Sequence, residues 1–514
     1  MKGTNVVFKA YTNQQVMLLP PSLDELIGAS HPVRVVNQVI DQIDIDPLLK
    51  KYKGGGTSSF HPRMLLKVLV FSYINNIYSS RKIEAAIKEN IHFMWLAGMN
   101  TPDHNTINRF RSDRLKDVLK KLFAQVVILL NQEGLLSIKD IFTDGTKIEA
   151  NANKYSFVWG KAVQKSKERI RTQIDELWKY AQNIASAELQ DTEPVNFEQI
   201  DSEKVKQAIN QINEALKDKP IDKKVKQKLN YAKRWPEKLD QYKQTEEILS
   251  SKRNSYSKTD PDATFMRMKE DYMKNGQLKP GYNVQISSNQ QFIVNYSLHY
   301  NPTDTTTLAT HLEEHKNLYN QNPESITADA GYGSEENYQL LEKENIDAYV
   351  KYSYFDKEQK QAKRAFQDGN PFSSDKLFYN EAGDFFICPM GQKMKPVKTG
   401  KRITENGFEQ NVTAYQAINC KGCPLAGQCN KSKGNRRIEV NHNLRRLKQK
   451  ARENLLSEKG IRNRKQRSVD TEPIFANIKH NKGFRRFMLR SKSKVEIEWG
   501  LLALAHNLSK KVAA

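Results

Sequence analysis

The chain has 514 residues and a mass of 59.3 kDa, too long for one compact core and suggestive of about three or four units. Its 82 Lys and Arg against 59 Asp and Glu leave a net charge of +23 and an isoelectric point near 9.5, which selects polyanions as partners: nucleic acid or an anionic membrane. Hydrophobic residues make up 38%, enough for real cores and too many for a disordered basic tail, and four cysteines exclude a disulfide scaffold. Apolar runs such as FAQVVILL at 123–130 fall far short of the ~20 residues of a membrane span, so no membrane partner is expected. The start, MKGTNVVFKAYTNQQ, has no apolar segment ahead of a cleavage site, so no secretory signal is expected.

Residues 1–20 read as a polar arm or edge segment. Residues 21–135 carry apolar positions three and four apart, as in VRVVNQVIDQI and PRMLLKVLVFSYINNI, so 1–135 is expected to be an all-α N-terminal domain. Within it, Thr101 before Pro102 reads as an N-cap with a first-turn proline, opening a short helix that shows His104, Asn105, Asn108, Arg109 and Arg111. Three short helices ending in one rich in Asn and Arg resemble a helix-turn-helix DNA reader, with Arg109 and Arg111 as DNA contacts. Residues 136–160 contain a strand, KDIFTDGTKIEA. Residues 161–260 read as a polar, Lys-rich helical insertion that packs loosely or reaches outward. Residues 261–352 read as a hairpin with a Ser-Ser-Asn turn (GYNVQISS, QQFIVNYSLHY), a capped helix, a strand ending in Asp329, a helix capped by Ser334, and a strand: a mixed α/β sheet. Residues 353–440 lose periodicity and hold every cysteine. Residues 441–514 return to helix.

Two aspartates stand where charge is costly. Asp144 lies in an apolar strand and Asp329 ends another, positions where a rigid backbone can aim a carboxylate at a cation. Gly145 and Ala330-Gly331 beside them leave room for a bulky backbone substrate. Further on, Glu472 is expected to open a helix with Pro473 in its first turn. Lys479, two turns later, then shares its face, so a carboxylate and an ammonium would point together at a metal and a phosphate. Asp470 reads as that helix's N-cap, Asp304 as a cap or first-turn acid, Asp260 as a turn residue, and Glu496 and Glu498 as structural.

These pieces resemble the DDE transposases of bacterial insertion sequences. The resemblance rests on FTDGTKIEANANK, the PGYNVQ hairpin, ADAGYGSEENY, and VDTEPIFANIKHNKGFRRF followed by EWGLLALAHNL, with PDHNTINRFR ahead of them, in order over most of the chain. It implies an α/β catalytic domain with a ribonuclease-H-like mixed sheet, its core at 261–352, interrupted by the helical and Cys-bearing insertions. It implies that Asp144, Asp329 and Glu472 are catalytic and hold two Mg²⁺ ions, replaceable by Mn²⁺, with Asp144 bridging and Lys479 holding a phosphate near the element end. The implied partners are double-stranded DNA, as inverted-repeat ends and as target, and further copies of the chain in a homodimer or larger complex. The implied location is cytoplasmic, at the nucleoid. One departure stands out: Arg467 lies one residue further from Glu472 than the signature Tyr-x₂-Arg-x₃-Glu-x₆-Lys places its Arg, and the Tyr position is basic. A purely hydrolytic ribonuclease-H-like nuclease, and a DNA-binding protein with an inactive catalytic domain, are the competing readings.

Cys388, Cys420, Cys423 and Cys429 fall in one window, as CPMG and then C-x₂-C-x₅-C, the makings of one tetrahedral structural zinc site. Residues 431–494, including Arg467, Arg485 and Arg486, carry 21 Lys and Arg against five Asp and Glu. A phosphate-binding groove around Glu472 accounts for that placement.

Overall fold

The computed structural model describes residues 22–52, 59–185, 197, 200–249, 253–268, 276–363, 372–404 and 406–514. The expected N-terminal arm lies outside them. The chain divides into two compact units, Met1–Val126 with Leu501–Ala514, and Val127–Gly500.

In the first unit the described elements are helical: α1 (Pro32–Gln42), α2 (Asp46–Leu49), α3 (Pro62–Ile74), α4 (Ser80–Glu89), α5 (Ile91–Leu96), α6 (His104–Arg109) and the start of α7 (Leu119–Gln132). His31 and His61 cap α1 and α3 by accepting from the backbone two residues on, each followed by a proline whose missing N–H would have been unpaired anyway. Val33, Val36, Ile40, Leu65, Leu66 and Leu69 are buried at helical spacing. The N-cap of α6 is Asp103, which accepts from Thr106 N at 2.8 Å, and not Thr101. Asp fits better because its carboxylate can reach the third backbone N–H.

The second unit is built on a six-stranded mixed sheet. Its strands are β1 (Asp140–Glu149), β4 (Thr264–Arg267), β5 (Leu278–Asn289), β6 (Phe292–His299), β7 (Ser325–Ala328) and β8 (Asp347–Val350), in the order β4-β5-β1-β7-β8 with β6 also on β5. β1 runs antiparallel to β5 and parallel to β7. The hairpin turn lies at Gln290 and Gln291, both at positive φ, and not at the Ser-Ser-Asn stretch: Ser287 and Ser288 remain in the ladder, their hydroxyls bonded inside.

Between β1 and β4 come β2 (Phe157–Trp159), α8 (Gly160–Ile184), α9 (Ser202–Ala215), α10 (Lys223–Ala232), α11 (Trp235–Leu249) and β3 (Ser255–Ser257). These helices share a core of their own, with Ile174, Trp178, Ile209, Ile212 and Trp235 almost fully buried, so the insertion packs as a tight module and not loosely. Next along the sheet come α12 (Leu308–Tyr319), α13 (Glu335–Lys343) and α14 (Phe355–Lys363).

The cysteine-bearing stretch is a second sheet, five antiparallel strands in the order β13-β12-β11-β10-β9: β9 (Tyr379–Asn380), β10 (Phe385–Ile387), β11 (Lys393–Ile403), β12 (Glu409–Ala417) and β13 (Arg437–Val440). The chain ends in α15 (His442–Leu456), α16 (Glu458–Ala476), a π-helical turn (Asn477–Asn481) and α17 (Lys492–Ala513). No described helix is long and apolar enough to cross a membrane.

Candidate active site

Strand register brings the two aspartates together. Thr143 of β1 pairs with Ala328 of β7 in parallel, and each strand's next residue is the aspartate, so Asp144 and Asp329 stand side by side where β7 ends, about one strand spacing (~4.8 Å) apart. Asp329 then caps a 3₁₀ turn, Ala330–Tyr332, by accepting from Gly331 N at 2.8 Å. Asp144 is 9% exposed and points to the sheet face that α16 covers. On that same face Ser288 donates to Asp470 of α16 at 2.5 Å.

Glu472 does not open a helix. Ser457 caps α16 by accepting from Gly460 N at 3.1 Å, and Glu472 and Pro473 lie in its last turns. The ring removes one backbone donor, and the π-helical turn that follows re-phases the chain. Asp470 is accordingly no N-cap. It is buried in mid-helix and also accepts from Gln291 N, and burial raises its carboxyl above the usual range.

The result is a cleft of about 430 Å³ lined by Asp144, Asp329, Glu472, Arg467 and Lys479, together with Thr146, Phe475, Ala476 and His480. Arg467 Nη1 lies 3.3 Å from Asp144 Oδ2 and both side chains are largely shielded, so the departure in spacing does not remove this arginine from the site. Lys479 is 7% exposed. Among the described residues, no three His, Cys, Asp or Glu side chains converge closely enough to hold a metal ion.

Sequence reasoning missed the support beneath the aspartates. Asp304 starts a 3₁₀ turn but caps nothing with its carboxylate: Oδ1 accepts from Asn283 Nδ2 at 2.9 Å and Gln285 Nε2 at 2.8 Å. Tyr332 donates to Gln285 Oε1. Its hydroxyl is pushed well above the usual tyrosine range, first by burial and then by the charges of Asp304, Asp144 and Asp329. Thr305 ties the turn after Asp329 to this network through Gly331 O at 3.0 Å. The signal lay in β5, where Asn283, Gln285 and Ser287 alternate with Tyr282, Val284 and Ile286: a polar face in a strand buried on both sides.

Other expected residues are placed differently. Arg111 is corrected as a DNA contact: it is 3% exposed and donates to Tyr78 O at 2.7 Å and to Tyr73 Oη, whereas Arg109 is exposed. Arg485 and Arg486 are exposed, but the Arg486 guanidinium is shared with Ala150 O and Ala152 O, which pins the segment to the end of β1. Asp260 is a buried acceptor for Tyr282 Oη. Glu498 is fully buried and accepts from Met488 N and Leu489 N, a structural role.

Each half of the cysteine cluster forms a tight turn. Gly391 N bonds Cys388 O at 2.8 Å, Cys423 N bonds Cys420 O at 3.3 Å, and Gly391 and Gly422 have positive φ. Arg436 donates to Cys429 Sγ at 2.7 Å, and its backbone N–H to Cys420 Sγ at 3.3 Å.

Two family models match the chain: a Transposase DDE domain over residues 387–512 and a Transposase domain (DUF772) over residues 21–113. The chain is a DDE-type insertion-sequence transposase. No curated protein and no solved structure matches it. The DDE-domain match takes in Glu472, Arg467, Lys479 and the four cysteines of the transposase. Asp144 and Asp329 precede it, so their place in the site rests on register and on the shared cleft. The family makes the transposase a DNA-cleaving and strand-transfer enzyme.

Proposed function

We propose that this transposase binds the inverted-repeat ends of its own insertion sequence and cuts and joins them with Asp144, Asp329 and Glu472 as the catalytic carboxylates. The observation that carries the reading is their convergence, from three distant parts of the chain, on one cleft shared with Arg467 and Lys479. The sheet, read as ribonuclease-H-like, fixes the two aspartates, and α16 supplies the glutamate from across the cleft.

The donor set fits a hard divalent cation, because all three groups offer carboxylate oxygens. Mg²⁺ or Mn²⁺, as a pair of ions held by Asp144, Asp329 and Glu472, would supply activation of the attacking oxygen and stabilisation of the leaving one. The chain's own residues do the rest. Arg467 balances the charge of Asp144 and holds that carboxylate in the cleft. Lys479, largely sheltered from water, gives a phosphate oxygen a strong electrostatic partner. The Gln285–Asp304–Tyr332 network keeps the Asp329 turn in place.

The basic surface of residues 431–494 would hold the backbone of the DNA, and the N-terminal helices, with Arg109 exposed, would read the ends. Residues 1–135 would be the DNA-binding domain, with 161–260 and 353–440 as insertions into the catalytic domain. Cutting two ends and joining both calls for a homodimer or larger complex. Work on chromosomal DNA would place the protein in the cytoplasm, at the nucleoid. The four cysteines, set in two tight turns, would have to draw closer together to hold one structural zinc ion.

The test uses a labelled element end with Mg²⁺. Asp144→Asn, Asp329→Asn and Glu472→Gln should each reduce cleavage to background and leave end binding intact. Wild-type cleavage by Asp329→Asn would overturn the site. Joined product alongside nicks marks strand transfer; nicks alone would mark a hydrolytic nuclease.

A further inference from the structure

β11 is an unusual strand for the centre of a small sheet. Of its eleven residues, KMKPVKTGKRI, only Met394 is buried and the other ten are exposed. The strand pairs with β10 through Lys393 and Met394 alone, while β12 pairs with β13 through residues 413–416. Beyond those anchors, residues 400–403 and 409–412 pair only with each other. This two-stranded ribbon reaches about 13 Å past the sheet, at ~3.3 Å per residue. A bare ribbon buries too little to be stable for its own sake.

Its charge is one-sided. β11 carries Lys393, Lys395, Lys398, Lys401 and Arg402 and no acid. Lys on an edge can serve to repel other strands, but that purpose needs one or two charges on the edge, not five along both faces. Lys401 is balanced by Glu409 at 2.6 Å. Cross-strand register gives Lys395, Lys398 and Arg402 the partners Gln416, Ala414 and Gln410, so no acid stands opposite them.

The ribbon is also aimed. Gln410, directly across from Arg402, donates to Glu335 at 2.9 Å, and Asn441 and Asn443 hold the same carboxylate. Glu335 is the first residue of α13, just after the turn that begins at Asp329. The arm is therefore tied to the loop that carries one of the proposed catalytic carboxylates.

We infer that the β11–β12 ribbon is a second DNA grip, in which Lys395, Lys398 and Arg402 contact the phosphate backbone of duplex DNA lying beyond the cleft. In sequence it lies outside the charge-rich residues 431–494, although β13 of that stretch pairs with β12. The inference rests on the DNA-cleaving reading of the chain. The contacts are to phosphates, so they should strengthen binding to any duplex and depend on salt.

The experiment measures binding of the full chain to a 30-base-pair duplex without element ends, between 50 and 200 mM salt. A Lys395→Gln/Lys398→Gln/Arg402→Gln variant should reduce the slope of log affinity against log salt by about three. It should therefore lose about 40-fold less affinity than the parent over that range. Lys398→Gln and Arg402→Gln alone should each remove about one unit of slope, and Lys395→Arg/Lys398→Arg should keep the parent slope. An unchanged slope in triple and single variants that unfold at the parent temperature would overturn the ribbon while leaving the transposase reading intact. Failure of the parent to bind any duplex would overturn both.

Discussion

Gly145 lacks a side chain for a reason on the far side of the sheet from Asp144. A Cβ there would come within 2.3 Å of Gln285 Nε2 and 2.8 Å of Asp304 Oδ1. The glycine serves the network under the aspartates, not the approach of a substrate backbone, as its neighbourhood to Asp144 suggests in sequence. Lys482 makes a measurable point about burial. It is 8% exposed, and burial lowers its ammonium from 10.5 to about 8. Between those values the unfolded chain binds more protons than the folded one, so this lysine's contribution to stability rises with pH across 8 to 10.5 and is at its worst below 8. The span is on the order of 3 kcal/mol. In urea unfolding, the stability of Lys482→Met relative to the parent should fall as pH climbs through that window; a pH-independent difference would contradict the shift.

At the scale of elements, α16 carries Arg467, Asp470 and Glu472 to three different tasks. Asp470 is spent on Ser288 and Gln291, which dock the helix on the sheet. Arg467 and Glu472 are then left facing the cleft. Pro473 hid this in the sequence, because a proline after a run of polar residues reads as a helix start when the preceding residues have no apolar stripe. The cysteine-bearing sheet was hidden for a different reason. Its longest strand is exposed on both faces and shows no alternation of polar and apolar residues, the signal by which strands are recognised. The sheet's own core is small, chiefly Phe386, Met394, Tyr415, Ala417 and Ile438, and a metal closing its cysteine turns would add stability that such a core lacks. Metal analysis of purified protein should give zinc near one per chain, and a chelator should lower the melting temperature. Zinc near zero with four reduced thiols would exclude the site.

At the scale of the molecule, the +23 charge is distributed by task. Most lies on residues 431–494 and part on the ribbon, which leaves the helices of the N-terminal segment as the proposed readers of sequence. Arg109→Ala should cut the ratio of affinities for an element end over a scrambled duplex by roughly 5- to 150-fold, the equivalent of about 1–3 kcal/mol, while changing the salt slope by no more than about one unit. A preserved ratio would move end reading elsewhere. Arg111 should not behave this way, because its guanidinium is bonded inside the helical core.

By itself the sequence determined the basic character, one aspartate within a strand and another at a strand's end, the glutamate and lysine with their six-residue gap, the helical insertion and the DDE resemblance. These are local: they depend on residue type, spacing and charge, which the chain carries before it folds. Only the tertiary structure decided which carboxylates meet. Asp144 and Asp329 are brought together by parallel register between strands 185 residues apart, and Asp304 and Asp470, equally acidic in the sequence, are taken up by Asn283, Gln285, Ser288 and Gln291. A buried carboxylate must find a partner, and which one it finds depends on what packs against it. That choice is made between elements, so no stretch of sequence read alone contains it.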